Sequence, residues 1–142
     1  MAADAAEWQP ETPAPIVLLD APCSSTGTIR RHPDIPHLKA VADIPGLAAL
    51  QEKLLDNAAR MVAPGGVLIY CTCSLEPEEG EDQIARFLAE HPDFARRPVA
   101  PDELPGLEKA MTATGDVRTL PSLWPEKGGM DGFFIARLER TG

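Results

Sequence analysis

The sequence contains 142 residues, enough for one domain of ordinary size and too few for two domains with separate cores. Hydrophobic residues make up 44% and charged residues 25%, which is typical of a globular protein and excludes disorder along the whole chain. No apolar run approaches the roughly 20 residues that a bilayer core requires, and the first residues lack the basic and apolar regions of a signal peptide. We therefore expect no membrane association and a location in the cytoplasm.

The net charge and the cysteine count limit the possible partners and the redox compartment of the protein. Acidic residues outnumber basic ones by 22 to 13, so the formal net charge is -9 and the surface repels free nucleic acid on average. A nucleic-acid function would need local basic groups or a partner domain. The 3 cysteines are an odd number and indicate a reducing compartment rather than a disulfide framework.

The first half of the chain is predicted to form a strand, a loop and a helix. Residues 16–19 (IVLL) are an unbroken aliphatic run, typical of a strand that is buried on both faces. Residues 23–36 are rich in turn-forming residues and predict a long ordered loop, which in compact domains is more often functional than idle. Apolar residues at helical spacing predict a helix over 44–62, ended by the Pro-Gly-Gly sequence at 64–66.

The second half is predicted to add two strands and a helix around a weakly patterned stretch. Residues 67–71 (VLIYC) indicate a second buried strand, and 78–91 a helix with acidic residues in its first turn. Residues 94–99 suit an edge strand, residues 133–138 a closing strand, and the stretch between them a loop. This order predicts a layered α/β domain with a largely parallel sheet.

Cysteines follow the first two predicted strands. The sequence Asp-Ala-Pro-Cys at 20–23 ends the first strand, and Cys-Thr-Cys-Ser at 71–74 ends the second. In parallel sheets, ligands bind beyond the carboxyl ends of the strands. If the two strands are neighbours, about 4.8 Å apart, two thiols and a carboxylate converge on one crevice.

The cysteines of the second strand allow different interpretations. Cys71 lies inside the strand, where a free cysteine is usually inert packing, and we predict that role. Cys73 lies where the strand gives way to a polar turn, close to a predicted helix N-terminus, which lowers a thiol pKa. Nearby acidic residues would oppose this effect if they faced the thiol, and helix capping is their expected use. These acidic residues are Glu76, Glu78, Glu79, Glu81 and Asp82.

Two further interpretations concern metal ions and phosphates. Three thiolates could bind a metal, but His32, His37 and His91 do not stand at zinc-finger spacing, so we expect no metal site. Arg30, Arg31 and His32 form the densest basic cluster in an acidic chain. A solvated loop and a phosphate contact both remain open for this cluster.

Three motifs resemble one protein family. They are DAPCSSTGTIRRHPD at 20–34, YCTCSLEPEEGE at 70–81 and GGMDGFFIARL at 128–138. In this order and at this spacing they closely resemble the RNA (cytosine-5) methyltransferases of the Sun/Fmu type. The resemblance implies a Rossmann-like fold and transfer of a methyl group from S-adenosylmethionine to C5 of a cytosine in ribosomal or transfer RNA.

The resemblance also implies roles for individual residues. Cys73 is similar to the nucleophile that adds to C6 of the cytosine, and Cys23 to the second cysteine, which assists release of the methylated product. Asp20 resembles the carboxylate between the cofactor and the target base. Asp4 is similar to the acidic residue that contacts the adenosine part of the cofactor, and Pro22 of the Pro-Cys motif is expected to line the cofactor site with Asp4 and Asp20. Since the family usually has Ser or Ala where Cys71 stands, Cys71 keeps its interpretation as packing.

The chemistry makes the same demands on the residues. C5 of cytosine is a poor nucleophile, and addition of a thiolate at C6 turns it into an enamine that can attack a methyl-sulfonium carbon. A carboxyl group near N3 or the exocyclic amine stabilises the charge that develops. A base must then remove the C5 proton before the thiol leaves, so a second ionisable group is useful. The target base must be unstacked to reach such a crevice.

The sequence lacks a Gly-rich cofactor loop of the GxGxG type, and Gly65-Gly66 follows a helix, which is the wrong context for one. In the family that loop lies N-terminal to the motifs found here. We therefore expect residues 1–142 to be the C-terminal portion of a Rossmann-like catalytic domain whose early strands, in a missing N-terminal half, would be its partner.

Two hypotheses follow from the missing loop. The chain is the catalytic half of an RNA cytosine-5 methyltransferase, inactive in isolation, or it is a non-catalytic fragment or an RNA- or partner-binding module that keeps only the fold. In both cases the sheet edge beside residues 16–19 would be exposed, which favours self-association.

Overall fold

Five strands form one mixed sheet in the computed structural model, which describes residues 3–38 and 40–142. The spatial order is β1-β2-β5-β3, and β4 also pairs with β5. None of the helices in the described part of the chain is long and apolar enough to cross a membrane. The strands are β1 (Ala14–Asp20), β2 (Val62–Thr72), β3 (Phe94–Arg96), β4 (Val117–Thr119) and β5 (Phe133–Arg140), and the helices are α1 (Ile35–Leu38), α2 (Ile44–Met61) and α3 (Glu81–Glu90).

The strand directions correct the prediction of a largely parallel sheet. Only β1 and β2 are parallel, because α2 provides the crossover that a parallel pair needs. The pairs β2–β5, β3–β5 and β4–β5 are all antiparallel. Between β3 and β5 the chain forms only β4 and short helical turns, with no helix long enough for a parallel crossover, and β5 returns against its neighbours.

The helix α2 confirms the helix predicted from apolar spacing and ends one residue earlier than expected. Leu55, Ala58 and Ala59 are buried on the side that faces the sheet. The Pro-Gly-Gly sequence at 64–66 lies within β2, where it forms an irregularity: β1 advances two residues, Ala14 to Ile16, while β2 advances from Val62 to Val67. Gly65 takes a positive φ of 74° there, which suits glycine.

One face of the sheet carries the core. Residues of β2 and β5 that face α2 and α3 alternate with less buried residues, as expected for strands covered on one side. These side chains pack against apolar residues of the two helices in one cluster. Its fully buried members include Leu55, Leu68, Tyr70, Ile84, Phe87, Phe134, Ala136 and Leu138.

The opposite face of β1 is open, so the prediction that this strand is buried on both faces is wrong. Ile16 and Leu18 are 63% and 65% exposed. β1 is the edge strand of the sheet, and both faces of an edge strand are buried only if other elements cover them. Nearer the middle of the sheet, Leu104 and Val99 lie beside Ile69 and cover part of this face.

Three smaller differences from the predicted elements lie in the second half of the chain. The helix expected over 78–91 is split into a 3-10 turn, Pro77–Glu79, and α3. The edge strand expected over 94–99 is confirmed in position and limited to β3. β4 falls within the stretch that was predicted to be a loop.

Candidate active site at the carboxyl ends of β1 and β2

The predicted pairing of the first two strands is confirmed. Asp20, the last residue of β1, lies in register with Cys71 of β2. The backbone N–H of Ala21 donates to the carbonyl of Cys71 at 3.0 Å, so the loop that follows β1 starts directly beside the end of β2. We call residues 21–34 the Cys23 loop and residues 73–80 the Cys73 turn.

The two expected thiols meet in this crevice. The Sγ atoms of Cys23 and Cys73 are 3.5 Å apart, within hydrogen-bond distance for sulfur. Cys23 is buried, whereas Cys73 is half-buried and therefore accessible to a ligand. The convergence predicted from the two strand ends is thus present in the structure.

The contact between the thiols makes them chemically unequal. The hydrogen bond from Cys23 lowers the pKa of Cys73 from its ordinary value to about 6, with help from the Ser25 side chain and against the effect of burial. The same hydrogen bond, together with burial, raises the pKa of Cys23. The lowered pKa of Cys73 was predicted, but its cause is the neighbouring thiol rather than a helix N-terminus. Cys73 is therefore the thiolate of the pair at neutral pH.

Cys71 is not enclosed in the core, and its interpretation as inert packing stays a prediction. It is half-buried, and its thiol lies 3.7 Å from Oδ1 of Asp20. Burial and the Asp20 carboxylate raise the pKa of Cys71 to about 12. Cys71 is thus a neutral thiol beside an exposed carboxylate.

The Cys23 loop adopts a strained conformation that its contacts maintain. Ser25 has a φ of 61°, in the left-handed region that costs a non-glycine residue on the order of 1–2 kcal/mol. The N–H of Gly27 donates to the carbonyl of Cys73 at 2.9 Å, and the N–H of Leu75 donates to Oγ1 of Thr26 at 2.9 Å. These reciprocal bonds fasten the loop to the Cys73 turn.

Two glycines allow the residues just before β5 to pack against the Cys23 loop and the Cys73 turn. The N–H of Gly132 donates to the carbonyl of Gly27 at 2.8 Å. A Cβ atom on Gly27 would lie 2.0 Å from the carbonyl oxygen of Gly132, and a Cβ on Gly132 would lie 2.4 Å from Leu75. Only glycine fits at position 27, because its Cβ would meet backbone atoms, whereas a side chain at position 132 would have to displace the Leu75 side chain.

Glu79 is a site residue that the sequence analysis missed. It was grouped with acidic residues expected to cap a helix, but it is completely buried and caps nothing. Its Oε1 accepts hydrogen bonds from the N–H of Ser24 at 2.9 Å and from Gln51 at 3.0 Å. Its Oε2 accepts from the hydroxyls of Ser24 and Ser74, each at 2.5 Å. One signal was available: Glu79 precedes Gln83 and Phe87 at four-residue intervals, on the buried side of the following helix.

Arg118 of β4 holds the Cys73 turn from another side. Its guanidinium pairs with Glu81 at 2.5 Å and donates to the backbone carbonyl of Ser74. The same group lies 5.0 Å from the centre of the Phe134 ring. The carboxylate of Glu81 thus pairs with an arginine rather than capping α3.

The predicted cofactor-binding residues occupy different parts of the surface. Asp20 and Pro22 are exposed at the crevice, and the carbonyl of Pro22 accepts a hydrogen bond from Gln51 at 2.9 Å. Asp4 is exposed in a turn, where its carboxylate accepts from the N–H of Ala6 at 2.9 Å. Within residues 3–38 and 40–142, it makes no hydrogen bond to the cysteines or to Asp20. Its cofactor role stays a prediction.

The basic cluster is partly neutralised. Arg31 pairs with Asp131 at 2.5 Å and Arg30 with the same carboxylate at 3.3 Å. Both arginine side chains remain substantially exposed, so the solvated-loop and phosphate-contact interpretations both stay open.

Comparisons with known proteins agree with this fold. The family model of the 16S rRNA methyltransferase RsmB/F matches residues 3–139. The ribosomal RNA small subunit methyltransferase B of Thermus thermophilus is 44% identical over 125 residues, which are 88% of this chain and 29% of that protein. The chain therefore spans less than a third of the length of this relative.

Solved structures share the fold. The crystal structure of PH0851 superposes with a TM-score of 0.76 at 40% identity, over 89% of this chain and 26% of that one. A methyltransferase homologue from Pyrococcus horikoshii gives a TM-score of 0.65 at 30% identity, over 91% of this chain and 40% of that one. The resemblance noted in the sequence and the expected methyltransferase fold, present in part, are both confirmed.

Proposed function

The chain belongs to the RsmB/F family of 16S rRNA methyltransferases, and we propose that it supplies the catalytic cysteines for S-adenosylmethionine-dependent methylation of C5 of a cytosine in ribosomal RNA. It would act in the cytoplasm as the C-terminal portion of a Rossmann-like catalytic domain, with the remaining strands and the Gly-rich loop provided by an N-terminal portion. The single observation that carries the proposal is the pair of unequal thiols, 3.5 Å apart, at the end of two parallel strands.

Cys73 acts as the nucleophile. Its lowered pKa, about 6, keeps most of the thiol ionised at neutral pH, and its partial exposure allows contact with a base that has left the RNA stack. The sulfur forms a bond to C6, and the electron pair of the C5–C6 double bond becomes available at C5 for bonding to a methyl group. The exposure of Asp20 at the edge of the crevice supports its proposed role, which is to stabilise charge on the cytosine ring as the bond forms.

Cys23 acts when the product is released. In the free site it is a neutral thiol, and the largest reason for its raised pKa is the hydrogen bond to Cys73. Once the Cys73 sulfur is bonded to C6, it no longer carries the negative charge that held the Cys23 proton, so the pKa of Cys23 falls. Cys23 then releases its own proton to solvent, and the resulting thiolate takes the C5 proton, after which the C5–C6 double bond re-forms and the Cys73 thiolate leaves.

The residues of this chain fit one side of the cofactor. S-adenosylmethionine supplies an electrophilic methyl group on a sulfonium sulfur. Asp20 and Pro22 line the crevice and are exposed to a ligand, whereas Asp4 lies in a separate turn held on α2 by Asn57, which donates to the backbone carbonyl of Ala5 at 2.9 Å. Most of the binding contacts would therefore come from the N-terminal portion.

Denaturing gels of the full-length protein with RNA and S-adenosylmethionine test the two cysteine roles. Cys23→Ala should give a trapped protein–RNA band, because the adduct forms and is released poorly. Cys73→Ala should give no band and no methyl transfer. Cys71→Ser serves as the matched control and should behave like the wild type. The reverse pattern would exchange the two roles, and bands from both alanine variants would identify Cys71 as a substitute nucleophile.

The second candidate function is a non-catalytic fragment or a module that binds RNA or a protein partner. The missing Gly-rich loop and the exposed face of β1 favour it for this polypeptide alone. Calorimetric titration of the isolated chain with S-adenosylmethionine should show weak binding or none, and micromolar affinity would contradict the assignment of most cofactor contacts to another segment. A GxGxG-type segment in the reading frame upstream of Met1 would favour the catalytic role.

A further inference from the structure

The residues that follow the two reactive cysteines share one buried carboxylate. Ser24 comes directly after Cys23, and Ser74 comes directly after Cys73. Both hydroxyls donate to Oε2 of Glu79 at 2.5 Å and lie 3.2 Å from each other. The carboxylate thus bridges the Cys23 loop and the Cys73 turn one residue beyond each thiol.

The base of this bridge is anchored in the core. The backbone carbonyl of Glu79 accepts hydrogen bonds from the hydroxyl of Tyr70 at 2.8 Å and from Thr72 at 3.3 Å, both on the buried face of β2. Gln51 of α2 reaches Oε1 of Glu79 and the carbonyl of Pro22 with the same amide nitrogen. The carboxylate is therefore tied to the sheet, to α2 and to both cysteine-bearing segments.

A buried carboxylate without a cation at hydrogen-bond distance is costly and needs a full set of donors. Among the described residues, all four donors to Glu79 are neutral: one backbone N–H, two hydroxyls and one amide. Asp116 differs, because it is equally buried but is paired with Arg96 at 3.0 Å, far along the chain from the cysteines. The carboxylate of Asp116 is thus held by an arginine, whereas three of the four described donors to Glu79 belong to Ser24 and Ser74, the residues next to the thiols.

We propose that Glu79 is a positioning residue that keeps the thiols of Cys23 and Cys73 in contact by fastening the residue after each of them to a common point. The inference rests on the proposed function, in which that contact decides which thiol attacks. Loss of the bridge would leave the Cys23 loop tied to the Cys73 turn only by bonds further along both segments, such as that from Gly27 to the carbonyl of Cys73, and would weaken the hydrogen bond between the sulfurs. Cys73 would then behave as an ordinary thiol.

The variants Glu79→Ala and Glu79→Gln show whether Glu79 acts on Cys73 through its hydrogen bonds or through its negative charge. Alanine removes all four hydrogen bonds. Glutamine keeps Oε1 for Ser24 and Gln51, and its NH₂ replaces Oε2, where the two serine hydroxyls can rotate to accept from it. The rate at which iodoacetamide alkylates Cys73 in this chain is measured from pH 5 to 9 by peptide mass spectrometry. The midpoint of this pH dependence, called the Cys73 midpoint below, should rise by roughly one pH unit or more in Glu79→Ala and stay near the wild-type value in Glu79→Gln.

Asp116→Ala is the matched control for a lost buried carboxylate. It should lower stability in urea unfolding without moving the Cys73 midpoint. An unchanged midpoint in folded Glu79→Ala, or an equal rise in both Glu79 variants, would overturn the proposal. If Glu79→Ala does not fold, Ser24→Ala and Ser74→Ala each remove one attachment, and unchanged midpoints in both would overturn it as well.

The assay needs neither RNA nor cofactor, so its outcome is separate from that of the proposed function. A full-length Cys23→Ala protein that traps no RNA adduct would refute the proposed cysteine roles whatever the midpoint shows. A protein that forms the adduct, combined with a midpoint insensitive to Glu79→Ala, would refute only the positioning role.

Discussion

The two faces of β2 carry different kinds of residue, although they alternate along the same strand. On the side of the helices, Leu68, Tyr70 and Thr72 are completely buried, and the polar groups among them are bonded to the backbone of Glu79. On the outer side, Cys71 is half-buried beside Asp20, and Cys73 continues the same alternation just beyond the strand. The inner face therefore fixes the geometry, while the outer face keeps the reactive groups accessible.

The largest effect should come from truncating the inner face. Leu68→Ala would leave a cavity in a fully buried position and should lower the free energy of unfolding by about 2–5 kcal/mol. Leu18→Ala, at a position that is mostly exposed on the outer face of β1, should lower it by less than about 1 kcal/mol. Urea unfolding of both variants measures the difference. Equal losses would mean that the outer face of β1 is covered in solution.

The second largest effect should be the difference in reactivity between the two thiols of the outer face, Cys71 and Cys73. With pKa values of about 6 for Cys73 and about 12 for Cys71, iodoacetamide at pH 7 should modify Cys73 at least about a hundredfold faster, after allowing for the higher intrinsic nucleophilicity of a less acidic thiol. The Cys73 rate should fall as the pH drops through 6 and level off above it. Timed alkylation with peptide mass spectrometry gives both rates, and faster modification of Cys71 would contradict the assignment.

Measurements of self-association test whether the exposed outer face of β1 binds a second copy of the chain. The unpaired edge of β1 and the side chains of Ile16 and Leu18 offer a surface for a second copy. Leu18→Glu should weaken any association by about tenfold or more, since it replaces a buried apolar contact with a charge. Val41→Glu, an exposed position outside the sheet, is the control with the same charge change. A wild-type chain that sediments as a stable monomer at high concentration would contradict this prediction.

The smallest effect should come from one hydroxyl on the inner face. Tyr70→Phe removes the hydrogen bond to the carbonyl of Glu79 and should cost about 1 kcal/mol of stability. Cys71→Ala, the next residue on the opposite face, should cost less. Thermal unfolding of the pair compares them, and a larger loss for Cys71→Ala would assign it a packing role after all.

Residue patterns predicted the parts of the fold that depend on local sequence. The aliphatic runs placed β1 and β2, and the spacing of leucines placed α2, so the meeting of Cys23 and Cys73 followed from adjacency of the strands. The outer face of β1 was predicted wrongly because an aliphatic run shows what a strand is suited to contact and not what lies beside it. β4 was missed because three residues have little propensity of their own and are held by pairing with β5.

The role of Glu79 could not be predicted for a similar reason. An acidic residue shortly before a helix suits a cap, and the capping pattern does not distinguish Glu79 from its acidic neighbours. Its donors Ser24 and Gln51 lie far away in the sequence, on a loop and a helix whose positions only the tertiary structure gives. Its four-residue spacing from Gln83 was a usable hint.

The position of β5 has a consequence for the order in which the protein is completed during synthesis. Of the five described strands, β5 leaves the ribosome last, yet it lies between β2 and β3 in the sheet, and the residue just before it, Gly132, donates its N–H to the carbonyl of Gly27. A nascent chain that has passed β4 still lacks the strand on which β3 and β4 pair. Translation that stopped anywhere between residue 74 and Gly132 would therefore yield a polypeptide with all three cysteines and no finished site.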